Sequence, residues 1–183
     1  MGTTRWRGMI GAAATVLLLA GCASSTTTDN DSTTSAPATS TADEEERGPF
    51  DFTAETLDGG TLEGESLKGK DVVLWFWAPW CPICLVEGRD QVGPALAELP
   101  DDVEFIGIAG RSDDLAEMSE FIDWTGTGAA THIVDTDGSI WEGFSVVLQP
   151  AFYFVNQDGA ASRAGSGLTT DDILAEIDIL TSE

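Results

Sequence analysis

The segment 71–84 (DVVLWFWAPWCPIC) limits the possible folds of this 183-residue chain more than any other part of it. Its first eight residues form a continuous apolar run rich in β-branched and aromatic side chains, which predicts a buried central strand. From Cys84 to Leu99 apolar residues recur at helical spacing. The chain is therefore expected to place two cysteines where a buried strand is followed by a turn and a helix.

The rest of the sequence after residue 48 alternates between strand and helix patterns. Apolar runs predict further strands over 103–109, 132–134, 151–155 and 160–164. Helices are predicted after a cap at Ser112 or Asp113 and from Thr170 onward, and Pro94 should kink the helix that follows the cysteines. The Asp-Gly turn within 57–62 predicts a hairpin. These patterns indicate an α/β fold with a central mixed sheet flanked by helices and an extra N-terminal β-hairpin.

The first 22 residues have the pattern of an export signal. Arg5 and Arg7 precede an apolar stretch over 10–20 that is too short to span a bilayer stably. The following Leu-Ala-Gly-Cys at 19–22 resembles the bacterial lipobox, which implies cleavage after residue 21 and lipidation of Cys22. An ordinary signal peptide followed by a chance cysteine is the alternative. Either interpretation predicts an extracytoplasmic protein, and the lipobox predicts one anchored in the cell membrane.

Residues 22–48 are predicted to be a disordered tether that starts at the lipidated cysteine. Ser and Thr fill 12 of the 26 positions in 23–48, which also end in an acidic run and contain no aromatic residue. Such a segment buries too little apolar area to offset the entropy lost on ordering. The sequence thus divides into a signal peptide (1–21), a tether (22–48) and a folded domain (49–183).

The charge balance excludes whole classes of partner. Eight Lys and Arg face 32 Asp and Glu, which gives a formal net charge of −24. Nucleic-acid binding needs clustered cations that displace the counterions of the phosphates, and a polybasic membrane patch needs the same clusters. We therefore expect no nucleic-acid partner.

The chemistry of the chain is concentrated at Cys81 and Cys84. A structural metal site needs about four ligands, whereas the folded part offers this one pair and a single histidine, His132. A helix that begins at the pair would favour a thiolate at Cys81, because its N-terminus carries partial positive charge and free amide donors. Cys84, one turn further along, is then placed as the resolving thiol.

These residues resemble a known family. The segment Phe76–Cys84 resembles the active site of thioredoxin-fold oxidoreductases, and the stretches 57–59 and 67–70 resemble its extracytoplasmic TlpA/ResA/DsbE-like branch. Glu87 matches an acidic position of that branch. The segment 149–152 (QPAF) looks like the family's cis-proline segment in the form seen in actinobacterial DsbE-like proteins. The resemblance covers about residues 49–183 and implies a thioredoxin-like fold.

The resemblance also implies a role for each matching residue. Cys81 would form a mixed disulfide with a substrate sulfur, and Cys84 would resolve it. Pro150, in the cis form, would sit opposite the pair, and the backbone of Gln149 would bind an extended substrate. The remaining supporting residues would shape the apolar surface around the sulfur, and they are Trp80, Pro82 and Ile83. No cofactor is expected beyond the redox-active disulfide.

The sequence departs from thioredoxins at Trp75, which stands six residues before Cys81 where thioredoxins carry a buried carboxylate. Glu87 is the candidate for the proton-handling role, and a surface glutamate that compensates the helix dipole is the equal alternative. His132 is expected to be a hydrogen-bonded strand residue rather than a base or a copper ligand. The Pro82-Ile83 dipeptide contains no histidine that would stabilise a thiolate.

The function predicted from these features is thiol–disulfide exchange with exported proteins, in the oxidising direction. The expected partners are exported protein thiols or disulfides and a membrane redox partner that recycles the pair. Reduction is the main alternative, for example in preparing apocytochrome c for haem attachment. A non-catalytic lipoprotein with a structural disulfide and a copper carrier are the remaining alternatives.

Overall fold

The structure, a computed structural model, describes residues 48–182. Cys22, the predicted signal peptide and all but the last residue of the predicted tether lie outside these residues. Among the helices of this described part, none combines the length and apolar character needed to cross a bilayer.

The described chain alternates strands and helices after an N-terminal hairpin. The strands are β1 (Thr53–Glu55), β2 (Thr61–Glu63), β3 (Asp71–Trp77), β4 (Val103–Gly110), β5 (Thr131–Asp135), β6 (Ala151–Val155) and β7 (Ala161–Ala164). The helices are α1 (Pro82–Glu87), α2 (Gly93–Leu96), α3 (Leu115–Thr125), α4 (Ser139–Gly143) and α5 (Thr170–Thr181). A 3₁₀ turn covers Gly64–Leu67, and a π-helical segment over Gly88–Val92 joins α1 to α2.

A five-stranded sheet in the order β5-β4-β3-β6-β7 forms the centre of the fold. Strands β3, β4 and β5 run parallel, whereas β6 pairs antiparallel with β3 and β7 pairs antiparallel with β6. The sheet is mixed and β3 lies in its middle. These findings confirm the predicted α/β class, the mixed sheet and the central strand that leads into the cysteines.

Strand β3 is buried on both faces of the sheet, which explains its continuous apolar run. Trp75 and Trp77 point into a core shared with α1, α3 and α5, where Trp77 stacks on Phe121 with ring centroids 4.2 Å apart. Leu74 and Phe76 point into the opposite core, which α4 and the first described residues help to form. The end of β3 is therefore held by packing from two sides.

The predicted N-terminal hairpin is present as a separate two-stranded sheet of β1 and β2. Thr56 after β1 forms an isolated bridge with Ile133, and the amide of Leu57 donates to the carbonyl of His132. The hairpin thus covers part of the edge of β5, which would otherwise present unpaired backbone groups.

The structure corrects details of two predicted helices. The helix after β3 begins at Pro82, between the two cysteines, as expected. Instead of a simple kink at Pro94, the structure has a π-helical segment just before this proline, which lacks an amide hydrogen to donate. Helix α3 is capped by Asp114, whose carboxylate accepts from the amides two and three residues on; the predicted caps Ser112 and Asp113 are wrong.

Helix α4 was not expected from the sequence. The Asp135 carboxylate at the end of β5 accepts hydrogen bonds from the amides of Ile140 and Trp141, and thereby replaces a local N-cap. Gly138 precedes the helix with a φ of 78°, which glycine adopts without strain. Asp137 adds a local cap by accepting from the amide of Ser139, but the two further amides are capped from a strand, which local sequence does not signal.

Candidate active site

Cys81 is held at the junction of β3 and α1. It is the N-cap residue of α1, and its Sγ accepts a hydrogen bond from the backbone amide of Cys84 at 3.2 Å. The amide of Cys81 in turn donates to the carbonyl of Ala78, which closes the turn after the strand. A sulfur in this position faces free amide donors and the positive end of the helix, and both stabilise negative charge on it.

Cys84 lies one turn deeper and is fully buried, whereas Cys81 retains 4% of its surface exposed. Burial raises the pKa of Cys84, and its interactions with Cys81 raise it further. Both thiols are free in the structure. The two cysteines therefore differ: Cys81 keeps a small exposed surface and accepts a backbone amide, whereas Cys84 is fully buried and its raised pKa favours the protonated thiol.

The Gln149–Pro150 peptide bond is cis, as the family resemblance implied. The antiparallel pairing of β3 with β6 sets Phe76 opposite Ala151, so that Pro150 lies beside the end of β3, at the edge of the sheet from which Cys81 follows. Pro150 is buried and Gln149 is half-buried. The sheet register thus brings together the cysteine and proline segments, which are far apart in sequence.

Apolar side chains stand exposed around this junction. Trp80 is 53% exposed and Ile83 57%, while the indole Nε1 of Trp80 donates to the carbonyl of Arg111 at 2.9 Å. Pro82 is exposed beside them. Val147 and Leu148, just before the cis-proline, are also exposed and were not singled out from the sequence. An exposed apolar rim of this kind suits contact with another polypeptide.

Glu87 is buried, with 5% of its surface exposed, which rules out the alternative of a surface glutamate. Its Oε2 accepts from Trp75 Nε1 at 3.3 Å and its Oε1 from the amide of Gly167 at 2.9 Å. Burial raises the pKa of Glu87, and these two hydrogen bonds partly oppose the rise. Trp75, at the position where thioredoxins carry a strand carboxylate, therefore donates a hydrogen bond to Glu87 of α1.

We expect the titration of Glu87 to lower the free energy of unfolding as the pH rises from about 4 through its folded-state pKa. The folded chain holds this proton more tightly than the unfolded chain, so that ionisation favours unfolding in that window and has no further effect above it. Glu87→Gln removes the titration and should flatten this slope. Urea unfolding of both proteins between pH 4 and 8 measures the effect.

The exposed residue Glu98 provides the matched control. Glu98→Gln should leave the slope of the wild-type protein in place, because its side chain lies in solvent in both states. A slope in Glu87→Gln as steep as that of the wild-type protein would show that the Glu87 carboxyl does not contribute; a smaller residual slope is expected from Asp135, whose pKa burial also raises.

His132 has the structural role expected for it. Trp77 Nε1 donates to its Nδ1 at 3.3 Å, so that Nε2 carries the ring proton and donates to the carbonyl of Thr127 at 3.0 Å. Burial lowers the pKa of His132, which favours the neutral ring. Both ring nitrogens are thus engaged, and residues 48–182 contain no group of three His, Cys, Asp or Glu that could hold a metal ion.

The chain is similar to known proteins in sequence and in fold. The AhpC/TSA family model matches residues 47–162. The "Soluble secreted antigen MPT53" of Mycobacterium tuberculosis is 38% identical over 134 residues, which are 72% of this chain and 75% of that protein.

Two solved structures from M. tuberculosis share the fold. That of "MTB dsbF in its mixed oxidized and reduced forms" is 41% identical, with a TM-score of 0.67, over 72% of this chain and 96% of the other. A secreted disulfide oxidoreductase described as homologous to E. coli DsbE is 36% identical, also with a TM-score of 0.67, over 72% and 98% of the two chains. These likenesses confirm the thioredoxin-like fold.

Proposed function

We propose that Cys81 and Cys84 are the redox pair of this chain, which belongs to the AhpC/TSA family and is a thiol–disulfide oxidoreductase. In this role the pair would oxidise the cysteines of exported proteins. The observation that carries this proposal is the placement of the Cys81 sulfur at the N-terminus of α1, where it accepts the amide of Cys84. The cis Pro150 beside it supports the same assignment.

In the proposed reaction the enzyme starts with the Cys81–Cys84 disulfide. A substrate thiolate attacks the Cys81 sulfur, and the bond between the two enzyme sulfurs breaks, with Cys84 leaving and taking up a proton. A second substrate thiolate then attacks the substrate sulfur of the mixed disulfide and releases Cys81. The substrate loses two electrons and two protons, and the enzyme gains the electrons as a dithiol. A membrane redox partner must afterwards reoxidise it.

Glu87 is proposed to handle the proton of Cys84. Its negative charge contributes to the raised pKa of Cys84, so that the two groups interact electrostatically. A carboxyl whose own pKa is raised by burial exchanges protons closer to neutral pH than an exposed one does. In the oxidising direction this group would supply the proton that the leaving Cys84 sulfur takes up.

The oxidising direction predicts a reduction potential well above that of thioredoxin, which is about −270 mV. The hydrogen bond from the Cys84 amide to Cys81 Sγ and the N-terminus of α1 would stabilise the thiolate of the reduced form. Stabilising the reduced form raises the reduction potential. Equilibration with glutathione buffers, followed by alkylation of the free thiols, measures it. A potential at or below that of thioredoxin would instead support the reductase alternative.

We further propose that the protein works outside the cytoplasm, anchored by lipid on Cys22 and lifted from the membrane by residues 22–48, with the folded domain over 49–183. The lipobox-like segment 19–22 supports the anchor. The related MPT53 is named as a secreted antigen, which supports the compartment. Two or three acyl chains hold a protein on a bilayer stably, whereas one does so only marginally.

A further inference from the structure

Trp75 lies where the central sheet packs against the helix that carries Cys84. Its side chain is fully buried, and its ring packs against Trp77, Phe121 and Phe152, with ring centroids 5.9, 6.1 and 6.4 Å away. A ring that is enclosed at the packing density of a protein interior cannot turn without displacing its neighbours. The direction of the Trp75 indole N–H is therefore set by the fold.

The helical segment beside Trp75 leaves room for this indole. Gly88 directly follows Glu87, and a Cβ at this position would lie 2.8 Å from Thr125 Cγ2 and 3.0 Å from Trp75 Cη2. The π-helical segment begins at the same glycine, and such segments occur frequently at functional sites. A larger residue at position 88 would press on the ring, so that the glycine allows the indole to reach the Glu87 carboxyl.

The Glu87 carboxyl lies between two donors that come from other parts of the fold. Trp75 Nε1 on β3 and the amide of Gly167 before α5 each donate to one of its oxygens, at 3.3 and 2.9 Å. An indole N–H and an amide N–H can donate but not accept, and a hydrogen bond to a charged acceptor is stronger than one to a neutral acceptor. Both donors therefore stabilise Glu87 more after it has lost its proton than before.

Cys84 is the titratable group with which Glu87 interacts. It precedes Glu87 by three positions in α1, a spacing that brings two side chains together on a helix surface. Burial is the main cause of the raised pKa of Cys84, and the charge of Glu87 adds to it. Glu87 also lines a cavity of about 400 Å³, and the other described residues around this cavity carry no charge.

We infer that Trp75 is a positioning residue for the proton transfer between Glu87 and Cys84. The inference rests on the proposed function and deepens it. When the enzyme disulfide breaks, the Cys84 sulfur leaves with the bonding electron pair and takes the proton of the Glu87 carboxyl, whose O–H bond breaks. The indole N–H stabilises the carboxylate that forms, so that Trp75 sets how readily Glu87 gives up its proton. Solvent in the adjoining cavity then returns a proton to Glu87.

The first test follows the indole N–H signals of the full-length protein in detergent by proton–nitrogen correlation NMR between pH 4 and 9. The cysteines are kept in the disulfide form, in which neither of them titrates. The Trp75 signal should shift in one titration step, and Glu87→Gln should abolish this step. The Trp77 indole, which donates to His132, is the matched reference and should behave alike in both proteins.

The second test measures rates in Trp75→Phe, which loses the donor and keeps an aromatic ring. The oxidised protein is mixed with an excess of a dicysteine peptide, and the first turnover is stopped with acid at pH values from 5 to 9. The ratio of the variant rate to the wild-type rate cancels the titration of the peptide thiol.

Without its indole donor the Glu87 carboxylate is less stable, so that the acid form persists to higher pH. The rate ratio for Trp75→Phe should therefore rise roughly tenfold from the acidic to the alkaline end, the effect of losing one hydrogen bond to a charged group. Trp77→Phe is the matched control, because it makes the same change two residues along the strand, and its ratio should stay constant.

A Trp75 signal that titrates unchanged in Glu87→Gln, a constant rate ratio for Trp75→Phe, or an equal rise for Trp77→Phe would each overturn the inference. The NMR titration decides the assignment if Trp75→Phe does not fold, because it needs only the wild-type protein and Glu87→Gln. A wild-type protein that oxidises no dithiol would contradict the proposed function, whereas the titration would still show whether the indole responds to the carboxyl.

Discussion

Cys81→Ser should lower the rate of dithiol oxidation by about a thousandfold or more, because a hydroxyl cannot form the mixed disulfide through which the electrons pass. Serine is the most conservative replacement, since it is a good N-cap residue. Its hydroxyl can accept the hydrogen bond that the Cys84 amide donates to Cys81 Sγ at 3.2 Å. The fold should therefore be retained, which circular dichroism and urea unfolding can verify. The rate is measured with a dicysteine peptide under a glutathione redox buffer.

Cys22→Ser provides the control for this experiment, because it makes the same substitution outside the folded domain. It should oxidise the peptide at the wild-type rate when both proteins are assayed in detergent. If Cys81→Ser turns over as fast as the wild-type protein, the Cys81–Cys84 pair does not carry the oxidation, and the proposed redox pair is wrong. Weak activity that disappears only when Cys84 is also replaced would mean that the nucleophile has been assigned to the wrong cysteine.

Cys22→Ser should also release the protein completely from the membrane. Each buried methylene of an acyl chain contributes about 0.8 kcal/mol, so that two long chains make dissociation negligible and their loss makes attachment negligible. The strongly acidic chain, with a net charge of −24, has no electrostatic attraction to an anionic bilayer that could replace the lipid. Fractionation of cells fed a radioactive fatty acid measures both attachment and labelling.

In this experiment the roles of the two variants are reversed. Cys81→Ser should remain membrane-bound and labelled, because it leaves the proposed acylation site at Cys22 unchanged. A wild-type protein that is unlabelled and found in the soluble fraction would show that residues 1–21 are an ordinary signal peptide and that Cys22 is not acylated.

The local sequence around the cysteine pair was enough to predict this part of the site. Residues 71–78 are apolar at every position but the first, and such a run is stable only when both faces of a strand are covered. The cysteines follow directly, so that their place at a strand–helix junction depends on neighbouring residues alone. The confirmed central strand and the N-cap position of Cys81 follow from this short-range pattern.

Features that depend on distant partners were missed or left open. The sequence allowed Glu87 to be a surface residue, and its burial is decided by Trp75 on β3 and Gly167 before α5. Helix α4 escaped prediction because its cap comes from Asp135 on a strand. The cap of α3 was misplaced by one or two residues, since neighbouring Ser and Asp residues offer nearly equal local hydrogen bonds.

Arg111 shows most clearly what the amino-acid order alone cannot reveal. Nothing near it in the sequence indicates that its carbonyl accepts the Trp80 indole N–H or that its guanidinium lies over the Trp141 ring, and these partners are 31 and 30 residues away. The order of residues determined the strand, the helix and the two sulfurs, because these depend on periodicity and adjacency. The tertiary structure alone decided which side chains surround those sulfurs, because packing brings together groups whose separation along the chain carries no local signal.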